Sequence, residues 1–130
     1  MASVPVPTIG FRYPTRKELF WKEQLLDRHH PPVETDNMQN TLWMFPSNLL
    51  MRRLADKYEC THLGNSDTHF SIPEIGGSRT VVRSIDARSE RAFYDSLSVA
   101  LSPENRHDVH VEHGYTSIVS FLRNQVGGRL

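Results

Sequence analysis

The chain has 130 residues and carries fifteen Lys and Arg residues against fifteen Asp and Glu residues, so its formal net charge is zero. This length predicts a single domain, residues 1–130, with one hydrophobic core and no room for a second domain. The neutral balance excludes a uniformly basic protein, so a polyanion would have to bind where charge is locally segregated.

One cysteine and the lack of long apolar runs narrow the class of protein further. Cys60 cannot form an intramolecular disulfide and has no Cys-X-X-Cys partner, so it is expected to be a small core residue. No run in the sequence approaches the roughly 20 apolar residues that span a bilayer. We therefore expect an intracellular protein without a membrane segment.

The first half of the chain predicts two helices joined by a polar segment. Residues 1–14 are punctuated by proline and predict an extended arm. Thr15 and Glu18 have the spacing of a capping box, so the first helix should begin there and end before Pro31. Residues 33–40 predict a polar connection with little structure. The residues expected to face the core from the first helix are Leu19, Phe20, Trp21 and Leu26.

The second helix should follow Pro46, with Ser47 as its N-cap. Its apolar residues Leu50, Leu54 and Tyr58 recur at helical spacing and should face the core. The basic residues of this helix then lie mostly off that side.

The second half of the chain predicts a β-hairpin, a long helix, an edge strand and a last helix. Residues 59–63 and 68–75 are rich in Thr, Ile and aromatic residues, with turn-forming residues between them. Residues 78–101 keep an apolar period near 3.6 and predict one helix. Residues 107–114 alternate like an exposed strand, and a final helix is predicted from Ser117.

The predicted order of elements is α, α, β, β, α, β, α, which is typical of an α+β fold. In this fold a small, mostly antiparallel sheet is covered by helices on one face. A sheet with so few strands leaves exposed edges, which can pair with the edges of another copy. We therefore expect a homodimer in which the sheet continues across the interface.

Residues 70–80 (FSIPEIGGSRT) contain the most informative motif. A strand-like run passes through Gly76 and Gly77 into the predicted long helix, with Ser78 as its cap. The free N–H groups and the dipole at such a helix start could hold a phosphate group. The alternative is a turn that caps the helix and binds nothing.

This motif resembles that of the tombusvirus nineteen-kilodalton silencing suppressors. Their strand has the form V-S-I-x-x-x-G-G-S-R-T, and here Ser71, Ile72 and residues 76–80 fall at the matching offsets. Shorter matches to the same family occur at residues 60–62, 87–89 and 100–103. The length of the chain is closer to that of the related fourteen-kilodalton suppressors of aureusviruses.

The resemblance implies a non-enzymatic homodimer that binds double-stranded RNA, including small interfering RNA duplexes, and suppresses host RNA silencing without a cofactor. Recognition would depend on the shape and backbone of the A-form duplex and not on its sequence. The implied location is the host cytoplasm, with the nucleus as a second location. Host silencing proteins would be further partners. The candidate RNA-binding residues are Thr61, Ser71, Gly76, Gly77, Ser78 and Arg79, together with the basic residues Arg12, Arg16, Lys17, Arg52, Arg53, Lys57 and Arg83.

Two departures from the family pattern bear on how RNA would be bound. Pro73 and Ile75 replace hydroxyl residues that face the RNA in the family's strand. Trp21 and Trp43 do not form the Trp-x-x-Trp pair with which the family measures duplex length. We therefore expect weak selection for duplex length, with both tryptophans packed in the core or in an interface.

Other chemistry finds less support in the sequence. His107, His110 and His113 could form a metal site with Glu112, but residues 107 and 110 of an alternating strand point to opposite faces. No nucleophile-elbow motif accompanies the Ser and His residues. We assign no catalytic or metal-binding residue. The alternative function is a non-enzymatic protein-interaction adaptor without RNA affinity.

Overall fold

The computed structural model describes residues 15–40, 45–68 and 72–125. They form helices and small sheets, which is consistent with the predicted α+β class. No helix in these three ranges is long and apolar enough to cross a membrane. The helices are α1 (Arg16–His29), α2 (Phe45–Lys57), α3 (Glu90–Ala100) and α4 (Ile118–Gln125), and the strands are β1 (Val33–Asn37), β2 (His62–Asn65), β3 (Arg79–Val81) and β4 (His110–Glu112).

α1 begins at the predicted capping box. Thr15 Oγ1 accepts a hydrogen bond from the N–H of Glu18 at 3.2 Å, and Glu18 Oε2 accepts one from the N–H of Thr15 at 2.7 Å. The helix ends before Pro31, as predicted, because His30 adopts a left-handed conformation with φ 43°. Both boundaries follow from residues close in sequence, so they were readable from the sequence alone.

The predicted apolar face of α1 is only partly correct. Leu26 is fully buried and Leu19 packs against the core, but Phe20 and Trp21 are 55% and 58% exposed. The prediction that Phe20 faces the core is therefore wrong. Trp21 was expected in the core or in an interface, and its exposure excludes only the core. Trp43 lies outside the described residues. Apolar residues surround much of this helix, and only one side of it contacts the core.

β1, α2 and β2 form a βαβ unit, in which α2 connects two parallel strands. Val33 is paired with His62 at the start of the strands, and Asn37 with Asn65 at their ends. The predicted polar connection at residues 33–40 is therefore wrong, because its first five residues form the buried strand β1. The core residues around this unit are Leu26, Val33, Met51, Leu54, Ala55 and Cys60, with Leu19, Leu50 and Tyr58 packed against them.

The predicted hairpin of residues 59–63 and 68–75 is also wrong. β2 pairs with the distant strand β1, and Pro73 lies in a short 3₁₀ helix, Ile72–Glu74. Proline cannot donate a hydrogen bond to a sheet, which agrees with its place outside a strand. The core-facing residues predicted for α2 are confirmed, since they belong to the cluster around the βαβ unit.

The second sheet consists of β3 and β4, which pair in antiparallel orientation with Thr80 opposite Val111. The predicted single helix over residues 78–101 is therefore wrong. Its first part is β3, and α3 begins only at Glu90, after Ser89, whose Oγ accepts a hydrogen bond from the N–H of Ala92 at 3.1 Å. The predicted edge strand and final helix are found as β4 and α4.

The hydroxyl group of Thr80 and the backbone of Gly64 form one of the contacts between the two sheets. Gly64 of β2 donates its N–H to Thr80 Oγ1 at 2.9 Å, and this hydroxyl donates to the carbonyl oxygen of Gly64 at 3.3 Å. A Cβ atom at Gly64 would lie 2.8 Å from Val111 Cγ1, so a side chain here would separate the sheets. The described strands thus form two small sheets and not one, and the extension of a sheet across a homodimer stays a prediction.

Cys60 is buried in the core, as predicted, and burial raises the pKa of its thiol to about 11. We expect its alkylation by iodoacetamide at pH 8 to be roughly a hundredfold slower in the folded protein than in urea, because the thiolate is the reactive form. Mass spectrometry of the alkylated chain after timed exposure measures both rates. Equal rates in the two conditions would show that the thiol is accessible and contradict this prediction.

Candidate functional site

The parallel strands β1 and β2 end side by side in a group of polar side chains. The side-chain nitrogen Nδ2 of Asn37 donates to Glu34 Oε1 at 2.8 Å and to Asp67 Oδ2 at 3.0 Å. Asn65 donates to the other oxygen of Glu34 at 3.3 Å. Parallel α/β sheets commonly bind ligands at the carboxyl ends of their strands. The carboxylates there could accept hydrogen bonds from a ligand, but in the described structure they also tie the two strand ends together.

Amide side chains fix the start of α2 against the end of β1. Asn48 Nδ2 donates to the carbonyl oxygen of Asn37 at 3.0 Å, and Asn48 Oδ1 accepts from the N–H of Asn37 at 3.3 Å. Asn40 donates to the same oxygen of Asn48 at 2.9 Å. All three side chains are buried, so each polar group needs such a partner. This network orients the strand ends and is a structural feature.

A second polar cluster, the Asp36 cluster, consists of Asp36 in β1, Arg52 in α2 and His113 after β4. The buried carboxylate accepts from Arg52 Nε at 3.1 Å and also pairs with Arg52 Nη2. His113 Nδ1 lies 2.8 Å from Asp36 Oδ1. The hydrogen bond to Asp36 is the main cause that raises the pKa of Arg52. A carboxylate that holds one nitrogen of a His ring fixes the orientation of that ring, so this cluster joins three separate parts of the chain.

The Gly-Gly-Ser motif does not begin a helix, so the predicted phosphate site at a helix start is wrong. Gly76 has φ +76°, and Gly77 packs against Met38. Ser78 is buried and its hydroxyl donates to the carbonyl oxygen of Asp36 at 3.3 Å. The motif leads into β3, so it presents no free N–H groups of a helix to a ligand. Its role in the structure is to join the second sheet to β1.

Among the predicted RNA-binding residues that the structure describes, Thr61, Ser78 and Arg52 make polar contacts within the protein. Thr61 is fully buried and donates to the carbonyl oxygen of Leu101 at 3.0 Å. Ser78 and Arg52 contact Asp36, as described above. Thr61 and Ser78 are buried and Arg52 is partly exposed beside Asp36, so RNA contact by these three residues stays a prediction that their observed contacts do not favour. Arg12 and Ser71 lie outside the described residues.

The remaining predicted basic residues are exposed, but several of them lie beside carboxylates. Arg79 pairs with Glu112, and Arg83 Nη1 lies 3.2 Å from Asp108 Oδ1. Pairs between exposed side chains are weak, so they lower the local charge more than they stabilise the fold. The exposed members of the predicted set are Arg16, Lys17, Arg53, Lys57, Arg79 and Arg83.

The three spaced histidines do not act as one group. His107 and His110 are exposed, whereas His113 contacts Asp36. Within the described ranges, no group of three or more His, Cys, Asp and Glu residues has the arrangement of a metal site.

The outer face of α1 is the feature that the sequence reading missed. We use this name for Lys17, Phe20, Trp21, Gln24, Leu25 and Arg28, which are all exposed. The rings of Phe20 and Trp21 contact each other edge to face, with centroids 5.7 Å apart. Leu25 is 52% exposed. Exposed apolar residues that share one surface of a soluble protein are typical of a binding site. The sequence of α1 contains a signal of this face, because its apolar residues are spread too widely around the helix to form a single stripe facing the core.

The described residues form a mixed helix-and-strand fold with one βαβ unit and one small antiparallel sheet. A family model described as PHP-associated matches residues 45–100, from the start of α2 to the end of α3. The match covers less than half of the chain, so the chain is similar to that family over this part. No curated protein and no solved structure matches the chain.

Proposed function

We propose that this chain is a non-enzymatic protein-interaction module that accompanies a PHP domain. The outer face of α1 carries the proposal, because Phe20, Trp21 and Leu25 are each more than half exposed. Aromatic residues of this kind supply much of the binding energy in protein interfaces. The similarity of residues 45–100 to a PHP-associated family suggests the class of partner.

The charges on the rest of the surface support a protein partner over a polyanion. Arg79, Arg83 and Arg91 each pair with a carboxylate, and the net charge of the chain is zero. A polyanion gains most of its affinity from unbalanced Lys and Arg residues. Apolar contacts made by α1 do not need such an excess.

The test is a calorimetric titration of the purified chain with a purified PHP-domain protein, followed by size-exclusion chromatography of the mixture. We expect a complex of one to one stoichiometry with a micromolar or lower Kd and a negative heat-capacity change, the sign of apolar burial. An unrelated protein of similar size and charge is the control. Absence of a complex at high micromolar concentration would contradict the proposed function.

Binding of double-stranded RNA is the second candidate, favoured by the exposed side chains of Arg16, Lys17 and Arg53 and by the resemblance of residues 70–80 to silencing suppressors. In this proposal a homodimer would join its small sheets across the interface and bind A-form RNA by shape, with weak length selection, to suppress host silencing. Titration of a labelled RNA duplex of about two helical turns, beside the single strand and duplex DNA, tests it. Affinity that falls steeply with salt and drops in Arg79→Ala supports RNA binding, and equal affinity for all three contradicts it.

A further inference from the structure

We infer that the outer face of α1 binds an acidic, amphipathic helix of a partner protein. This inference rests on the proposed function, which is binding of a protein through the outer face of α1, and adds the chemistry of the partner. Lys17, Trp21, Gln24 and Arg28 recur at intervals of four, three and four residues, so they form one stripe along the helix. Phe20 lies on one side of this stripe and Leu25 on the other, about 140° apart around the helix axis.

The stripe has an apolar centre and a cation at each end. Trp21 lies between Phe20 and Leu25 on the helix surface. Lys17 and Arg28 lie eleven residues apart, which corresponds to about 16 Å along a helix. A complementary partner therefore needs apolar side chains in the middle and a carboxylate at either end. An amphipathic helix of about three turns with Asp or Glu at both ends has these properties.

The charges disfavour a second copy of this chain as the occupant. Two α1 helices packed in antiparallel orientation would place Lys17 opposite Arg28 of the other copy, and parallel packing would place each cation opposite itself. Like charges across an interface lower affinity in both orientations. The other side of α1 is already occupied, since Leu26 is buried and Glu23 Oε1 lies 3.3 Å from Lys57 Nζ of α2.

A continuous polyanion also fits this face less well than a helix with separate carboxylates. Asp27 and Arg16 lie along the edge of the face next to Phe20, and Glu18 and Lys22 lie along the edge next to Leu25, so each edge carries a carboxylate and no excess of positive charge. The phosphates of a nucleic acid would meet these carboxylates, whereas a partner helix can place its own carboxylates only at Lys17 and Arg28.

The test uses a fluorescein-labelled, helix-forming peptide with a central stripe of Leu residues and Glu residues eleven positions apart. Its binding to the purified chain is followed by fluorescence anisotropy, beside the same peptide with Lys in place of Glu. We expect micromolar binding of the acidic peptide and at least about tenfold weaker binding of the basic one. Trp21→Ser and Lys17→Glu should each weaken binding of the acidic peptide about tenfold or more.

The chain supplies matched controls for both substitutions. Tyr94 of α3 is exposed and contacts Phe93 edge to face, as Trp21 contacts Phe20, so Tyr94→Ser removes a comparable aromatic residue elsewhere. Arg91→Glu reverses an exposed charge of α3 in the same way. Both controls should leave the affinity within about twofold. Far-UV circular dichroism of each variant checks that it is folded.

Each other outcome has a definite meaning. Equal affinity for the acidic and basic peptides, or no effect of Trp21→Ser, overturns the inference. RNA that displaces the acidic peptide in a Trp21-dependent manner also overturns it, in favour of a nucleic-acid site. If the PHP-domain protein binds both α1 variants as tightly as the unaltered chain, the outer face of α1 is not its binding surface, so the inference fails while the PHP partner stands. If that protein does not bind while the acidic peptide does, the proposed PHP partner fails and the assignment of the face stands.

Discussion

Replacement of Asp36 by Ala should lower the free energy of unfolding by about 3 kcal/mol. The side chain of Asp36 is 7% exposed and that of Arg52 is 27% exposed, so loss of the carboxylate leaves a partly buried cation without its main partner. His113 also loses the acceptor that holds its ring. Urea unfolding followed by circular dichroism measures the change, with the slope checked for two-state behaviour.

Asp95→Ala is the matched control for this effect. Its side chain is 73% exposed and lies 3.7 Å from Arg91 on the same helix, so its loss should change the free energy of unfolding by about 0.5 kcal/mol or less. The double variant Asp36→Ala/Arg52→Met should recover part of the stability, because it removes the partly buried cation along with the carboxylate. Equal effects of Asp36→Ala and Asp95→Ala would contradict the structural role of the Asp36 cluster.

The parts of the fold that the sequence predicted correctly depend on neighbours in sequence. The capping box of α1 uses Thr15 and Glu18, three residues apart, and α4 begins beside Ser117, whose Oγ accepts from the N–H of Ser120 at 3.1 Å. The core-facing side of α2 follows from helical spacing alone. Such signals act within one or two turns, so they are visible without knowledge of the rest of the chain.

β1 was missed because its stabilising partners are remote in sequence. A strand with the sequence VETDN looks like a polar loop unless its side chains have partners, and these come from Asn48, Arg52 and Asp67. The misread helix at residues 78–101 has the same cause, since β3 depends on pairing with β4. Tertiary pairing overrides local periodicity in both cases.

The polar clusters were harder to predict from the sequence than the fold was. Asp36 and His113 are separated by 77 positions, and no sequence spacing links them. Thr61 and Ser78 were chosen as surface hydroxyls, yet both are buried and donate to backbone carbonyl groups. Trp21 was expected in the core or in an interface, and its exposed side chain excludes only the core. Short polar residues and single aromatic residues give no local signal of which side of an element they occupy.

Replacement of Gly114 by Ala should also destabilise the protein by about 3 kcal/mol, because two stretches of backbone touch there. A Cβ atom at Gly114 would lie 2.5 Å from the carbonyl carbon of Gly77, whereas real Cβ atoms essentially never approach closer than 3.0 Å. The obstacle is backbone, so a side-chain rotation cannot relieve it. The contact also positions Thr116, whose N–H donates to the carbonyl oxygen of Met38 at 3.4 Å, so its loss should release the start of α4 from β1.

Gly76 allows this steric effect to be separated from the general cost of replacing a glycine. No atom lies within 4 Å of a Cβ placed there, but its φ of +76° is left-handed, so Gly76→Asn should cost only about 1 kcal/mol or less. Urea unfolding of both variants gives the comparison, and hydrogen exchange should show faster exchange at Thr116 in Gly114→Ala than in Gly76→Asn. A Gly114→Ala protein as stable as the Gly76 variant would mean that residues 113–116 do not pack closely against Gly77. Other contacts would then hold α4 in place.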